Sequence, residues 1–128
     1  MIENIESERL KAMLSALPVD FTFIDDDDRI RFFNKNGDRI FSRSREIIGK
    51  KVHDCHPERV LHMLQRVLDE MKAGSRDSAE FWMDREEMKV YIKFIAVRGG
   101  KGEYLGCLET SQDITDIMKI KGERKTLT

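Results

Sequence analysis

The run PERVLHMLQRVLDEMKAG, residues 57–74, places Val60, Leu61, Met63, Leu64, Val67, Leu68 and Met71 on one wide face of a 3.6-residue helix. A face that wide cannot remain in water and demands a broad apolar partner. Pro57 suits the first helical position, Glu58 the positive end of the helix dipole and Gly74 the position just past the end. Three strand-like runs follow, SAEFWMD (78–84), MKVYIKFIAV (88–97) and YLGCLETSQDI (104–114), separated by REE and the glycine-rich RGGKGE. Ahead of the helix, DFTFID (20–25) alternates Phe21 and Phe23 with polar residues, DDDD (25–28) is a turn, and RIRFFN (29–34) is the return strand. Strands on both sides of a helical middle predict an α+β fold: a five-stranded antiparallel sheet with helices on one face and the last strands beside the first hairpin.

The remaining segments complete this plan. SERLKAMLSAL (7–17) spaces Leu10, Met13, Leu14 and Leu17 as the stripe of an amphipathic helix, with Ser7 as a candidate N-cap and Pro18 as the stop. KNGDRIFSRSREIIGKKV (35–52), punctuated by Gly37 and Gly49, reads as one or two short helices or turns. ITDIMKIKGERKTLT (114–128) begins like a further helix and then turns polar. In 88–97 both faces are largely apolar, so the side away from the helical core needs a cover. The N-terminal helix is the natural candidate, either folded back on its own sheet or as the contact of a homodimer. The expected division is a helix over 1–18, a domain over 19–117 and a tail over 118–128.

Composition narrows the functional classes. A chain of 128 residues with 40% hydrophobic and 37% charged side chains buries a real core under a charged surface. Its net charge of −1 provides no field to draw in nucleic acid or an anionic membrane. No apolar run approaches the ~20 residues of a membrane span, and the acidic N-terminus lacks the apolar core of a signal peptide. Cys55 and Cys107 are therefore expected to be reduced thiols in a cytoplasm.

Several short stretches resemble the PAS family. FIDDDDRIRFFNKNGDRIF is similar to the first PAS hairpin, with an Asp turn, a strand ending in Asn and a short helix. REIIGKKV resembles the family's E-x-x-G-x-x-V step through Glu46, Gly49 and Val52, and YLGCLETSQDITDI resembles the last strand closing in D-I-T at Asp113, Ile114 and Thr115. The stretch HDCHPERVLHMLQRVLDEMKAGSRDSAEFWM is similar to PAS domains linked to hemerythrin-like domains in bacterial and archaeal proteins, which share a Cys-His-Pro before the long helix and an aromatic pair such as Phe81-Trp82. The resemblance implies sensing, small-ligand or cofactor binding, dimerisation and an effector domain or partner protein that the sequence does not identify. No hemerythrin-like, kinase or DNA-binding domain is expected within the chain.

All three histidines and one cysteine fall in KKVHDCHPERVLHMLQ (50–65). Helical spacing puts His62 on the polar side with Glu58, Gln65 and Asp69, where it is expected to be solvated. His56 shares the stripe of Val60, Met63, Leu64 and Val67, so it can point at the core or bond the free N–H groups at the helix start. His53 and Cys55 precede the helix, and periodicity leaves their directions open. By analogy with heme-binding PAS domains, His56 is the candidate axial ligand of a heme, with Cys55 and His53 as rivals; imidazole and thiolate both ligate heme iron. A zinc site lacks paired ligand spacings, the flavin-sensor cysteine motif is absent, and the aspartate run lacks the spaced ligands and glycine of a calcium loop. Met63, Leu64, Val67, Trp82 and Lys93 are candidate pocket residues, Trp82 also suiting a core and Lys93 also suiting a snorkelling side chain. No catalytic motif is present. Three readings stand: a sensory module binding heme or a small ligand, a ligand-free dimerisation and interaction module, and a small metal or redox protein using Cys55 and His56.

Overall fold

The computed structural model describes residues 1–35 and 39–128, so the predicted turn at Gly37 lies outside the described residues. Seven regular elements form the frame: α1 (Ser7–Ala16), β1 (Asp20–Asp25), β2 (Ile30–Phe33), α2 (Glu58–Ala73), β3 (Ser78–Arg85), β4 (Met88–Arg98) and β5 (Tyr104–Asp113). The sheet is antiparallel in the order β2-β1-β5-β4-β3. The chain thus has the α+β architecture expected of it, with the last strand beside the first. The wide face of α2 closes the inner side of this sheet: Leu64, Val67, Leu68 and Met71 are buried in one cluster with Ile24, Ile30, Val52, Phe94 and Cys107.

Local chemistry explains where α2 stops and starts. Gly74 takes φ +83°, and its N–H reaches the carbonyls of Glu70 and Met71, closing the C-terminus in the left-handed geometry that glycine adopts at no steric cost. Pro57 stands just before the first helical residue, not within the helix. The aspartate run is used as a turn: Asp25 Oδ1 accepts from the N–H groups of Asp27 and Arg29, and Asp25 Oδ2 accepts from Arg31 Nε at 2.6 Å. Asp27 pairs with Arg29 and Lys51, and Asp28 with Lys72.

Gly106 is the strand position where only glycine fits. Its φ is +153°, and a Cβ built there would lie 2.3 Å from the Ile24 carbonyl oxygen and 2.6 Å from the Phe23 ring. The register of β4 with β5 shifts nearby, between Val97 and Arg98, as at other close backbone approaches in sheets. Gly106→Ala is expected to lower unfolding free energy in denaturant titration by at least about 2 kcal/mol; a change below about 0.5 kcal/mol would mean that β1 and β5 can part at no cost.

Two expectations are corrected. The segment 114–128 does not form a helix beyond a single 3-10 turn, Ile117–Lys119. Its apolar residues Ile117, Met118 and Ile120 are exposed, and a short helix without packing is marginal in water. Ser7 lies inside α1 and is not its cap; Glu6 precedes the helix and makes no side-chain capping bond. In α1, Leu10 and Leu14 of the apolar stripe are half-buried, while Met13 and the following Leu17 are exposed.

Candidate functional site

The site is assembled from the inner sheet face upward. Strand alternation sends Ala79, Phe81, Met83 and Arg85 of β3 inward, opposite Phe94, Ile92, Val90 and Met88 of β4. The same register places Glu109 of β5 beside Phe94 and, on its other side, Thr22 of β1. The first turns of α2 do not close fully onto this end of the sheet. A cavity of about 280 Å³ remains, walled by Phe41, Val60, Met63, Leu64, Phe81, Met83, Ile92 and Phe94. Its polar lining is Arg43, Arg59, Arg85, His56, Cys55 and Glu109.

The approach to α2 aims His56 into this cavity. Residues 49–52 are stitched to the first hairpin: Gly49 N–H donates to the Ile30 carbonyl, Ile30 N–H to Lys50 and Val52 N–H to Asp28. Val52–Cys55 then makes one 3-10 turn, and His56 is extended at φ −126°. The imidazole Nδ1–H donates to the Val52 carbonyl at 3.0 Å, which turns Nε2 toward Glu109 Oε2 at 3.4 Å. Arg43 Nη2 donates to the other oxygen of Glu109 at 3.2 Å.

Glu109 is thus a carboxylate buried under α2 with two basic partners, and its side chain is only 11% exposed. Burial alone would raise its pKa. The hydrogen bond and charge of His56, followed by Arg43, outweigh that and hold it below the usual glutamate value. Arg43 Nε is shut off from solvent without an acceptor among the described residues, a condition that costs about 1–3 kcal/mol for a buried donor. Arg85 stacks over the Phe41 ring at 4.9 Å.

The sequence-derived residues separate into two groups. His56, Cys55, Met63 and Leu64 do meet at the cavity. His53, Val67, Trp82 and Lys93 do not line it. His53 hydrogen-bonds Gln65 on the flank of α2, because the 3-10 turn rotates it away from His56. Val67 is one turn too far along α2 and is buried in the core. Trp82 follows Phe81, so strand alternation turns it outward, where it is 67% exposed. Lys93 sits on the same outer face, opposite Glu80 on β3 and Thr110 on β5. His62 is exposed, as its place on the polar side of the helix implies.

Five polar or aromatic contributors, Glu109, Arg43, Arg59, Arg85 and Phe41, were not singled out by the sequence. One signal did exist. In YLGCLETSQD, Cys107 and Glu109 are two apart and share a face, so a buried Cys107 requires Glu109 to point inward and find cations.

Neither thiol is poised for reaction. Burial raises the Cys55 pKa, outweighing the pull of Arg43. Complete burial pushes Cys107 up to about 12. Both are thiols at neutral pH, without the thiolate that a nucleophilic cysteine uses. Among the described residues, no three His, Cys, Asp or Glu side chains converge on a metal position.

A family model described as PAS domain matches residues 10–115. The chain belongs to the PAS family. It is similar to the crystal structure of a C-terminal domain from Streptococcus mutans, with 30% identity, a TM-score of 0.84 and 91% of each chain covered. It also resembles a sensory box sensor histidine kinase from Vibrio cholerae, with 18% identity, a TM-score of 0.60 and coverage of 84% of this chain and 90% of the other. The PAS domain of Bordetella pertussis BvgS superposes with a TM-score of 0.61 at 18% identity, covering 88% and 90%. The last two likenesses establish fold only. No curated protein sequence matches the chain. PAS is a sensory and interaction fold, and among the described residues no helix is long and apolar enough to cross a membrane.

Proposed function

We propose that this PAS domain is a cytoplasmic sensory module that takes a small organic ligand in the cavity between α2 and the inner sheet face. It signals through β5 and works as a homodimer. The observation that carries the reading is the Arg43–Glu109–His56 cluster inside a cavity with a broad apolar wall and two further arginines, Arg59 and Arg85, in its lining. Arg43 and His56 hold the Glu109 carboxylate, and Arg59 and Arg85 line the same cavity without an ion pair among the described residues, more cationic groups than holding α2 to the sheet requires. They supply the few convergent polar groups that give a ligand pocket its specificity.

The route outward is short. Glu109 lies four residues before Asp113 on the central strand. Asp113 Oδ1 accepts from the Thr115 N–H at 3.0 Å and from its hydroxyl at 2.5 Å. Thr115 Oγ1 in turn accepts from the Lys89 N–H at 2.9 Å, and Ile114 N–H donates to the Lys89 carbonyl. A ligand that draws Glu109 or His56 aside shifts β5 against α2, and the Asp113–Thr115 clasp carries that shift into residues 114–120. This is a population shift between two packings. The exposed Met13 of α1 and Leu17 just past its end support the homodimer. The Cys55-His56-Pro57 and Phe81-Trp82 resemblance supports a hemerythrin-like partner domain.

The same residues suit an organic ligand better than heme. His56 Nδ1 is tied to a backbone carbonyl, as in many metal-binding histidines, but Nε2 already faces Glu109. Cys55 offers a protonated thiol. The cavity of about 280 Å³ lies at the small end of the ~300–1,000 Å³ range of ligand pockets. Hemin titration is expected to give only a weak Soret band that His56→Ala leaves unchanged. A sharp, stoichiometric band lost in His56→Ala would replace the organic ligand with heme.

Amide spectra recorded while titrating hydrocinnamyl alcohol, a neutral probe of the apolar wall, test the sensory reading. Shifts are expected at residues 56–64 and 81–85 and also beyond Asp113. Shifts confined to the cavity would remove the signalling route, and no shift with either this alcohol or the matching acid, hydrocinnamate, would remove the pocket.

A further inference from the structure

We propose that the cavity's ligand is a small monocarboxylate with an apolar tail. The tail lies against Met63, Leu64, Phe81 and Phe94, and the head is held by Arg59 and Arg85 at the mouth with Arg43 behind them. This rests on the cavity being a ligand pocket and adds the chemical class that it selects.

The charge pattern carries the inference. Three arginines line the cavity, and Glu109 is its only carboxylate among the described residues. Glu109 is already engaged by Arg43 and His56, so it offers nothing to a cationic ligand. Arg59 and Arg85 make no ion pair among the described residues, although both stand on the solvent side of the cavity. Arg85 stacks on the Phe41 ring of the cavity wall at 4.9 Å. Arg43 Nε, inside, still lacks an acceptor. An entirely apolar ligand would fill the wall, leave Arg43 Nε unanswered and leave Arg59 and Arg85 to water. A carboxylate answers them, because its two oxygens match the guanidinium fork.

The rest of the lining limits the anion. The wall is built from Val60, Met63, Leu64, Phe81, Ile92 and Phe94, and brings no further donor. A doubly charged phosphate ester would need more hydrogen bonds than these residues supply, since burying charge without donors is costly. A singly charged head at the rim, with an aryl or short alkyl tail inside, meets both conditions within about 280 Å³.

Isothermal titration of the full chain with matched pairs tests this: hydrocinnamate against hydrocinnamyl alcohol, and octanoate against octanol. Each carboxylate is expected to bind about tenfold or more tightly than its alcohol, with the margin shrinking as salt is raised. In the double variant Arg59→Gln, Arg85→Gln the margin should fall to about twofold. The ligand-free unfolding midpoint of that variant should stay within about 2 °C of the parent, because both side chains are exposed. Alcohols that bind as tightly as their acids would overturn the carboxylate while leaving the pocket. A margin that survives intact in the double variant would overturn the placement of the head. If neither member of either pair binds, the pocket reading falls and the ligand class falls with it.

Discussion

Glu109→Ala is expected to lower the thermal unfolding midpoint by about 10 °C at neutral pH, a loss of about 3 kcal/mol. Glu109 is 11% exposed and is flanked by Arg43 at 3.2 Å and His56 at 3.4 Å. Removing it leaves the Arg43 guanidinium, itself 12% exposed, without its counter-ion and with one N–H already lacking an acceptor. Breaking one side of a buried pair is costly for this reason, even where the intact pair adds little over an apolar substitute. Glu109→Gln keeps shape and one acceptor and should lose about half as much.

The pH dependence follows from the same pair. Its folded-state pKa lies below the ordinary value of 4.5, because His56 and Arg43 outweigh burial. The stability contributed by the ionised carboxylate is therefore fully present above pH 4.5 and is lost as pH falls through the depressed folded value. Denaturant titrations of parent and Glu109→Gln should show a gap at neutral pH that closes in acid. A gap that is constant with pH would show that Glu109 acts by shape and not by charge.

Asn34→Ala is the second large effect, also about 3 kcal/mol. Asn34 is 2% exposed and serves three backbone groups. Its Oδ1 accepts from the Phe21 N–H at 2.7 Å, and its Nδ2 donates to the carbonyls of Leu14 and Val19, both at 3.0 Å. One side chain thus closes the end of the first hairpin and ties down the chain leaving α1. Alanine leaves these groups unanswered where water enters poorly, and each orphan costs about 1–3 kcal/mol. Fluorescence-monitored unfolding measures the loss. Hydrogen exchange should also show the Phe21 amide and the end of α1 opening ahead of the rest. A loss under about 1 kcal/mol would mean that water replaces Asn34 at little cost.

Much of the frame follows from local pattern. The strand β1 over 20–25 and the helix α2 within 57–74 come from alternation, capping and the wide stripe of Val60 to Met71, which have one physical solution each. The pocket half is different. Trp82 and Phe81 are adjacent, so one had to face out, and composition alone does not say which. Lys93 is the odd charge in an apolar strand and drew attention, yet its face is the outer one. Glu109 looks ordinary in a polar stretch and becomes the central group of the cavity only because β5 is the middle strand, between β1 and β4. Arg43 and Arg85, far apart in sequence, meet there only through the fold.

Periodicity, caps and turn residues within the chain were enough to determine the α+β plan, the C-terminal stop of α2 at Gly74 and the inward aim of Met63 and Leu64, because each depends on neighbours within a few residues. The pairing of His56 with Glu109 across 53 positions, the outward turn of Trp82 and Lys93, and the failure of residues 114–128 to coil into a helix depended on the assembled sheet. They are set by strand order, by which sheet face α2 covers, and by whether an apolar stripe finds a surface to bury against. No short window of residues contains that information.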